Sequence, residues 1–287
     1  MKISEIFASF QGEGRFTGTL SVWIRFFGCN LNCSGFGQKN PTTPETYEIP
    51  YRDIDLTGIK SLEELPVFSK GCDSSYSWAP KFKHLSKNYT LDEIVEELFR
   101  LQREKLKIPE NDWFHPKTSN LVQLCFTGGE PMLHQKEMML ILKKLLEMNN
   151  RPPQITIETN GTKICKVDFS KYTDLLHFSC SPKLYSVSGE KDVIKPDVIK
   201  QYSHFTDSGT IKFVVNGTKE CWEELDYWVD RIYPLPYEWN MMIMPVGSDL
   251  ESQNIDYIGP IVEEGLKRGF GISMRTQIQA FGNLIGT

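Results

Sequence analysis

Cys29 and Cys33, in Gly28-Cys29-Asn30-Leu31-Asn32-Cys33, and Cys72, in Gly71-Cys72-Asp73-Ser74, carry the strongest chemical signal of the chain. Three thiolates can hold three irons of a four-iron cluster and leave the fourth iron open, whereas electron-transfer clusters take four cysteines. An open iron is a place where a substrate or cofactor can bind. Spacing alone leaves a second reading, a zinc site of three cysteines completed by a histidine. The remaining cysteines, Cys125, Cys165, Cys180 and Cys221, make an odd set of seven without repeating spacing, which argues against a disulfide framework. Cys125, Cys180 and Cys221 lie in apolar or aromatic surroundings and read as packed thiols.

Further polar groups and glycines gather around apolar runs. Phe10-Gln11-Gly12-Glu13-Gly14 flanks a carboxylate with two glycines, so backbone can approach a ligand while Gln11 and Glu13 offer hydrogen bonds. Alone it is only a turn. Arg25 shares a strand face with Trp23 and Phe27 by period two, which puts a guanidinium on an apolar face. A buried arginine needs an anion. That anion is either an internal carboxylate or a substrate carboxylate held in a planar fork. Thr127-Gly128-Gly129-Glu130-Pro131 exposes backbone groups at its paired glycines, and Glu130 can bind an ammonium. Glu158-Thr159-Asn160-Gly161-Thr162 and Ser181-Pro182-Lys183 also follow strand-like runs, where β/α enzymes collect their active sites.

The elements that must position these residues alternate. Strands are predicted over 20–27, 121–126, 154–158, 175–179, 210–215, 241–246 and 271–274, from β-branched and aromatic content bounded by Gly, Pro or Asn. Helices are predicted over 91–107, 135–149, 219–232 and 255–268, the first opened by a Thr90/Glu93 capping box. This order implies an α/β fold, a partial (β/α) barrel of about six parallel strands. Residues 34–71 break the rhythm with Pro41, Pro44, Pro50 and Pro66, and read as a long insertion between cluster ligands, or else as a mobile surface loop. The segment 108–120 reads as a loop in which Trp113, Phe114 and His115 pack rather than ligate.

A chain of 287 residues can bury a substantial core. A net charge of −5 and a pI near 5.7 give no electrostatic case for nucleic acid. There is no apolar run of membrane-spanning length, and Met1 to Ile6 lack an apolar signal segment, so a cytoplasmic protein is expected.

Taken together these motifs resemble a radical S-adenosylmethionine enzyme, and within that group the 7-carboxy-7-deazaguanine synthase (QueE) family. That family pairs Q-G-E-G with F-I-R-x-x-G-C-N-L-x-C-x-W-C-D-T, then G-G-E-P, E-T-N-G-T and S-P-K. This chain is similar at Phe10–Gly14, Trp23-Ile24-Arg25, Gly28–Cys33 and the three later motifs, in order, from about residue 3 to the end. It departs at Phe36, where the third cysteine would stand. Gly71-Cys72-Asp73-Ser74 resembles the displaced remainder, with Ser74 at the family's magnesium-binding threonine and Gln277 at its usual histidine.

The resemblance implies a single radical S-adenosylmethionine domain over 1–287 with an inserted loop at about 34–71. It implies a [4Fe-4S] cluster on Cys29, Cys33 and Cys72, and Mg2+ on Ser74. Asp73, Gly128, Gly129, Glu130, Asn160, Ser181, Pro182 and Lys183 would bind S-adenosyl-L-methionine. Phe10, Gln11, Gly12, Glu13, Arg25, Thr127, Gln277 and Thr287 would bind a pterin, 6-carboxy-5,6,7,8-tetrahydropterin, for ring contraction with loss of ammonia. An electron donor such as flavodoxin and a homodimer are implied as partners, with no direct contact to nucleic acid or membrane. Two other readings remain: a radical activating enzyme acting on a protein partner, and a non-catalytic, metal-stabilised binding protein.

Overall fold

The computed structural model describes residues 1–109 and 112–287; Glu110 and Asn111, inside the predicted 108–120 loop, lie outside the described residues. Its strands are β1 (Lys2–Phe10), β2 (Leu20–Phe26), β3 (Lys87–Asn88), β4 (Val122–Gly128), β5 (Ile155–Thr159), β6 (Leu176–Cys180), β7 (Gly209–Val215), β8 (Trp239–Pro245) and β9 (Gly271–Ile272). They form one nine-stranded sheet in the order β3-β1-β2-β4-β5-β6-β7-β8-β9. From β2 to β9 every pairing is parallel, and each strand adds beside the last. Six full-length parallel strands and the two-residue β9 match the partial-barrel expectation.

The sequence reading missed β1, the longest strand, which pairs antiparallel with β2. Its residues do not alternate cleanly, because polar Ser4 and Glu5 are buried alongside Ile3 and Ala8. Period-two logic assumes one wet face, and β1 has none over that stretch. The predicted helix 219–232 is found as Lys219–Ile232, and the Thr90 cap forms as expected, with Glu93 N–H donating to Thr90 Oγ1 at 3.2 Å. Short helices at Tyr185–Ser188, Pro196–Tyr202 and Thr276–Phe281 were not foreseen.

The 34–71 segment is neither structureless nor a bare surface loop. It carries a short helix, Pro50–Asp53, and packs Ile49, Tyr51, Leu62, Leu65 and Phe68 into a second apolar cluster with Tyr76, Ala79 and Phe82. Ile285 near the chain's end packs against the same cluster. Cys125, Cys180 and Cys221 are fully buried, as packed thiols should be, and Trp113 is buried with its indole N–H on Asn150. Among the described residues no helix is long and apolar enough to cross a membrane.

One buried group makes the fold sensitive to mild acid. His177 on β6 stands edge-on to Phe16 and bonds Ser208 Oγ at 2.8 Å. Burial first, then the charges of Arg15 and Lys212, lower its pKa from 6.5 to about 3. Protonation therefore favours the unfolded chain: stability is complete above pH 6.5 and declines as pH falls from there toward 3. Thermal melts should show a falling Tm between pH 6.5 and 5, and His177→Gln should flatten it. An equal slope in both proteins would remove His177 as the cause.

Candidate active site

The C-terminal ends of β2, β4, β5, β7 and β8, with Ser181 just after β6, surround one cavity of about 290 Å3. Cys29, Cys33 and Cys72 all line it, and none is in a disulfide. The insertion closes at its neck, where Gly71 N–H donates to the Phe36 carbonyl at 2.8 Å. Cys72 thereby returns within electrostatic reach of Cys29 and Cys33. Gly28 N–H on the Ser77 carbonyl, 2.8 Å, ties the two cysteine segments again.

Among the described residues no three His, Cys, Asp or Glu side chains converge to hold a single metal ion. A four-iron cluster asks for something else, since each thiolate takes its own iron. Burial pushes the Cys29 thiol up to about 12 and raises Cys33 and Cys72 too, while the Lys183 ammonium pulls all three down. Such thiols stay protonated on their own and become ligands when a cationic centre takes the proton's place. The donor set fits an iron–sulfur cluster.

The turn after β4 is pressed against this site. A Cβ on Gly129 would sit 2.4 Å from the Gly28 carbonyl and 2.7 Å from Cys29 Cβ, so only glycine permits the approach. Glu130 is fully buried and does not line the cavity. Its carboxylate accepts from Met132 N–H at 2.9 Å, Thr159 Oγ1 at 2.7 Å and Asn160 N–H at 2.7 Å. It stitches the β4 and β5 turns together, the work of a positioning group. Gly128, Asn160, Ser181 and Lys183 line the cavity, Lys183 donating to Ser181 Oγ at 2.9 Å, whereas Pro182 does not.

On the other side lie Phe10, Gln11, Gly12, Glu13, Arg25, Thr127, Gln277 and Thr287, all in the cavity wall. Arg25 Nε donates to Glu5 Oε1 at 2.6 Å, so the internal carboxylate is found on the strand the sequence did not reveal. Its Nη atoms have no hydrogen-bond partner among the described residues, and Phe7 and Tyr76 flank the guanidinium at 5.6 Å each. Glu13 accepts from the ammonium of Lys212, from Arg275 Nε at 3.0 Å and from Gln277 Nε2 at 2.8 Å. Burial pushes Glu13 up, but the Lys212 and Arg275 charges outweigh it and hold the carboxyl well below its usual range. Gln277 is seated on Gly12, where a Cβ would meet its Oε1 at 2.1 Å, and that buried oxygen has no hydrogen-bond partner.

Asp73 pairs with Arg275 and accepts from Ser74 Oγ at 3.0 Å. This hydroxyl and carboxylate fit an ion that draws most of its ligands from substrate and water, as Mg2+ does.

Sequence reasoning missed Lys212. It is 3 % exposed on β7, paired with Glu13 and 3.9 Å from Glu158 Oε2, while Glu158 Oε1 accepts from Gln11 at 2.9 Å. A lysine inside the apolar run Thr210–Val215 is the same signal that singled out Arg25. Glu5 had no such signal.

No family model matches the chain. It is 28 % identical to a 7-carboxy-7-deazaguanine synthase of Rhodopirellula baltica, over 99 % of this chain and 88 % of that one. It is 25 % identical to another from Hyperthermus butylicus, over 82 % and 77 %. The crystal structure of QueE from Escherichia coli superposes over 95 % of this chain and 92 % of its own, with a TM-score of 0.55 and 22 % identity, a likeness of fold. With cysteines, glycine turns and strand ends arranged as described, the chain is similar along almost its whole length to relatives of one name, the 7-carboxy-7-deazaguanine synthases.

Proposed function

We propose that this chain is a 7-carboxy-7-deazaguanine synthase, contracting the ring of 6-carboxy-5,6,7,8-tetrahydropterin with loss of ammonia. The observation that carries the reading is a single cavity shared by three free cysteines, Cys33 buried and Cys29 and Cys72 half-buried, and by the polar set Gln11, Glu13, Arg25 and Gln277. Cys29, Cys33 and Cys72 would hold a [4Fe-4S] cluster, and Gly128, Gly129, Asn160, Ser181 and Lys183 would frame S-adenosyl-L-methionine, with Glu130 and Pro182 shaping those turns. When bound, these cofactors would supply radical chemistry for hydrogen abstraction from the substrate.

The residues of the chain supply binding and orientation. Arg25, with Nε committed to Glu5, offers its Nη atoms to the substrate carboxylate. Glu158 retains acceptor capacity for a ring N–H, and Gln277, which stands where the resemblance puts histidine, braces Gly12 and the Glu13 carboxylate. Phe10, Gly12, Thr127 and Thr287 complete the wall around the ring. Ser74 and Asp73 would hold Mg2+, which would supply positive charge to the substrate. The stacked Phe7–Trp23 pair, with Pro66 and Val67 of the insertion, lines the cavity with apolar surface and excludes water from a reactive radical. An electron donor such as flavodoxin, a homodimeric assembly and a cytoplasmic location complete the proposal.

Arg25→Lys should weaken binding of the pterin by about tenfold or more, because a point charge replaces a planar fork, and should leave S-adenosylmethionine binding intact. Titration with both ligands checks this, and equal pterin affinity would sink the assignment. The function itself is tested by anaerobic assay of reconstituted protein with S-adenosylmethionine, reductant, Mg2+ and the tetrahydropterin. A deazaguanine acid detected by mass spectrometry supports it. Formation of 5′-deoxyadenosine alone would redirect the search to another substrate, a protein included. Absence of any cluster would leave a binding protein.

A further inference from the structure

Glu190 lies outside every motif considered so far. It follows Gly189 at the end of the short helix Tyr185–Ser188, and one of its carboxylate oxygens accepts both Asn32 N–H, at 2.7 Å, and Cys33 N–H, at 2.5 Å. Cys33 itself has φ +50°, in the left-handed region, which successive N–H groups adopt when they wrap an anion. The same helix end grips the next residues: Gly35 N–H donates to the Ser188 carbonyl at 2.9 Å, and Ser188 Oγ accepts from Glu190 N–H at 3.1 Å. The Cys33 end of the cysteine loop is thus built around a carboxylate.

We propose that Glu190 is a positioning residue that holds the Cys29–Cys33 loop and lowers the reduction potential of the cluster. This rests on the cluster reading above. Reduction takes one electron from an external one-electron donor and adds one negative charge to the cluster, so a fixed carboxylate beside a ligating residue opposes it. Amide N–H groups directed at cluster sulfur favour the reduced form. Here two amides of the ligand loop are spent on Glu190 instead. Both effects move the couple in the direction that reductive cleavage of a sulfonium requires.

Wild type, Glu190→Gln and Glu190→Asp, each reconstituted without S-adenosylmethionine, would be titrated with dithionite and followed by the electron paramagnetic resonance signal of the reduced cluster. Glutamine keeps an acceptor oxygen for both N–H groups and removes only the charge. The Glu190→Gln couple should shift at least tenfold toward reduction, about 59 mV for one electron, with Glu190→Asp staying nearer wild type. Equal midpoints in wild type and Glu190→Gln at equal iron content would overturn the tuning role. So would a Glu190→Gln protein that takes up no iron while Glu190→Asp does, because the charge would then serve assembly. In the metal-free proteins Glu190→Ala should speed amide exchange at Asn32 and Cys33, and unchanged exchange would overturn the positioning role. A wild type that binds no iron is a different failure, that of the cluster reading itself.

Discussion

Cys72→Ala should lose its cluster and with it all product formation above background. Iron and sulfide analysis of the anaerobically reconstituted protein should fall well below about four irons per chain, and the charge-transfer absorbance of the cluster should collapse. Cys165→Ala is the matched control. That thiol is buried in the main core with Sγ against the Val167 carbonyl at 3.3 Å, so its removal should leave iron content at the wild-type level. The contrast isolates a ligand that sequence spacing displaces and the neck between Phe36 and Gly71 returns. A Cys72→Ala protein with full iron content and undiminished product would show that another group completes the site.

Lys212→Met should be the most damaging change among the cavity's charged residues. The ammonium is 3 % exposed, pairs directly with Glu13 and stands 3.9 Å from Glu158. Removing it leaves two carboxylates facing each other in a buried setting, with Arg275 the remaining cation on Glu13. Breaking a buried pair by deleting one partner costs about 3–5 kcal/mol, a large part of a domain's usual stability of about 5–15 kcal/mol. Urea unfolding should therefore shift to much lower denaturant, and Glu13→Gln added to Lys212→Met should recover part of the loss. Strict additivity of the two changes would mean that the pair does not couple.

Much of the site was legible because its chemistry is local. Glycine turns at strand ends, the cysteine pair and Arg25 each announce a function by being the wrong residue type for their surroundings. The parallel order of β2 and β4 to β8 followed from alternation of apolar runs. What could not be read depends on distant partners. Glu5 is an ordinary-looking acid in Lys2–Phe10 until β1 pairs with β2 and brings it onto Arg25. Glu130, expected to meet an ammonium, is consumed by Met132, Thr159 and Asn160, two of which arrive from the next strand's end. The insertion's core was invisible because Ile49, Tyr51, Leu62, Leu65 and Phe68 follow neither helical nor strand period. They converge through short turns, and only tertiary packing supplies their pattern.

The closed neck of the insertion has a consequence for how its cysteines are read. Once Phe36 and Gly71 are bonded, closure entropy sets little limit on the length of chain between them, since each doubling of a flexible loop adds only about 0.6 kcal/mol; the limit comes from the packed cluster of Ile49, Tyr51, Leu62, Leu65 and Phe68. Residues added at the exposed turns outside that cluster would therefore leave the three thiols in place. Cysteine spacing along the chain is then a poor guide to ligation, and the distance across the neck is what decides whether the third thiol reaches the other two.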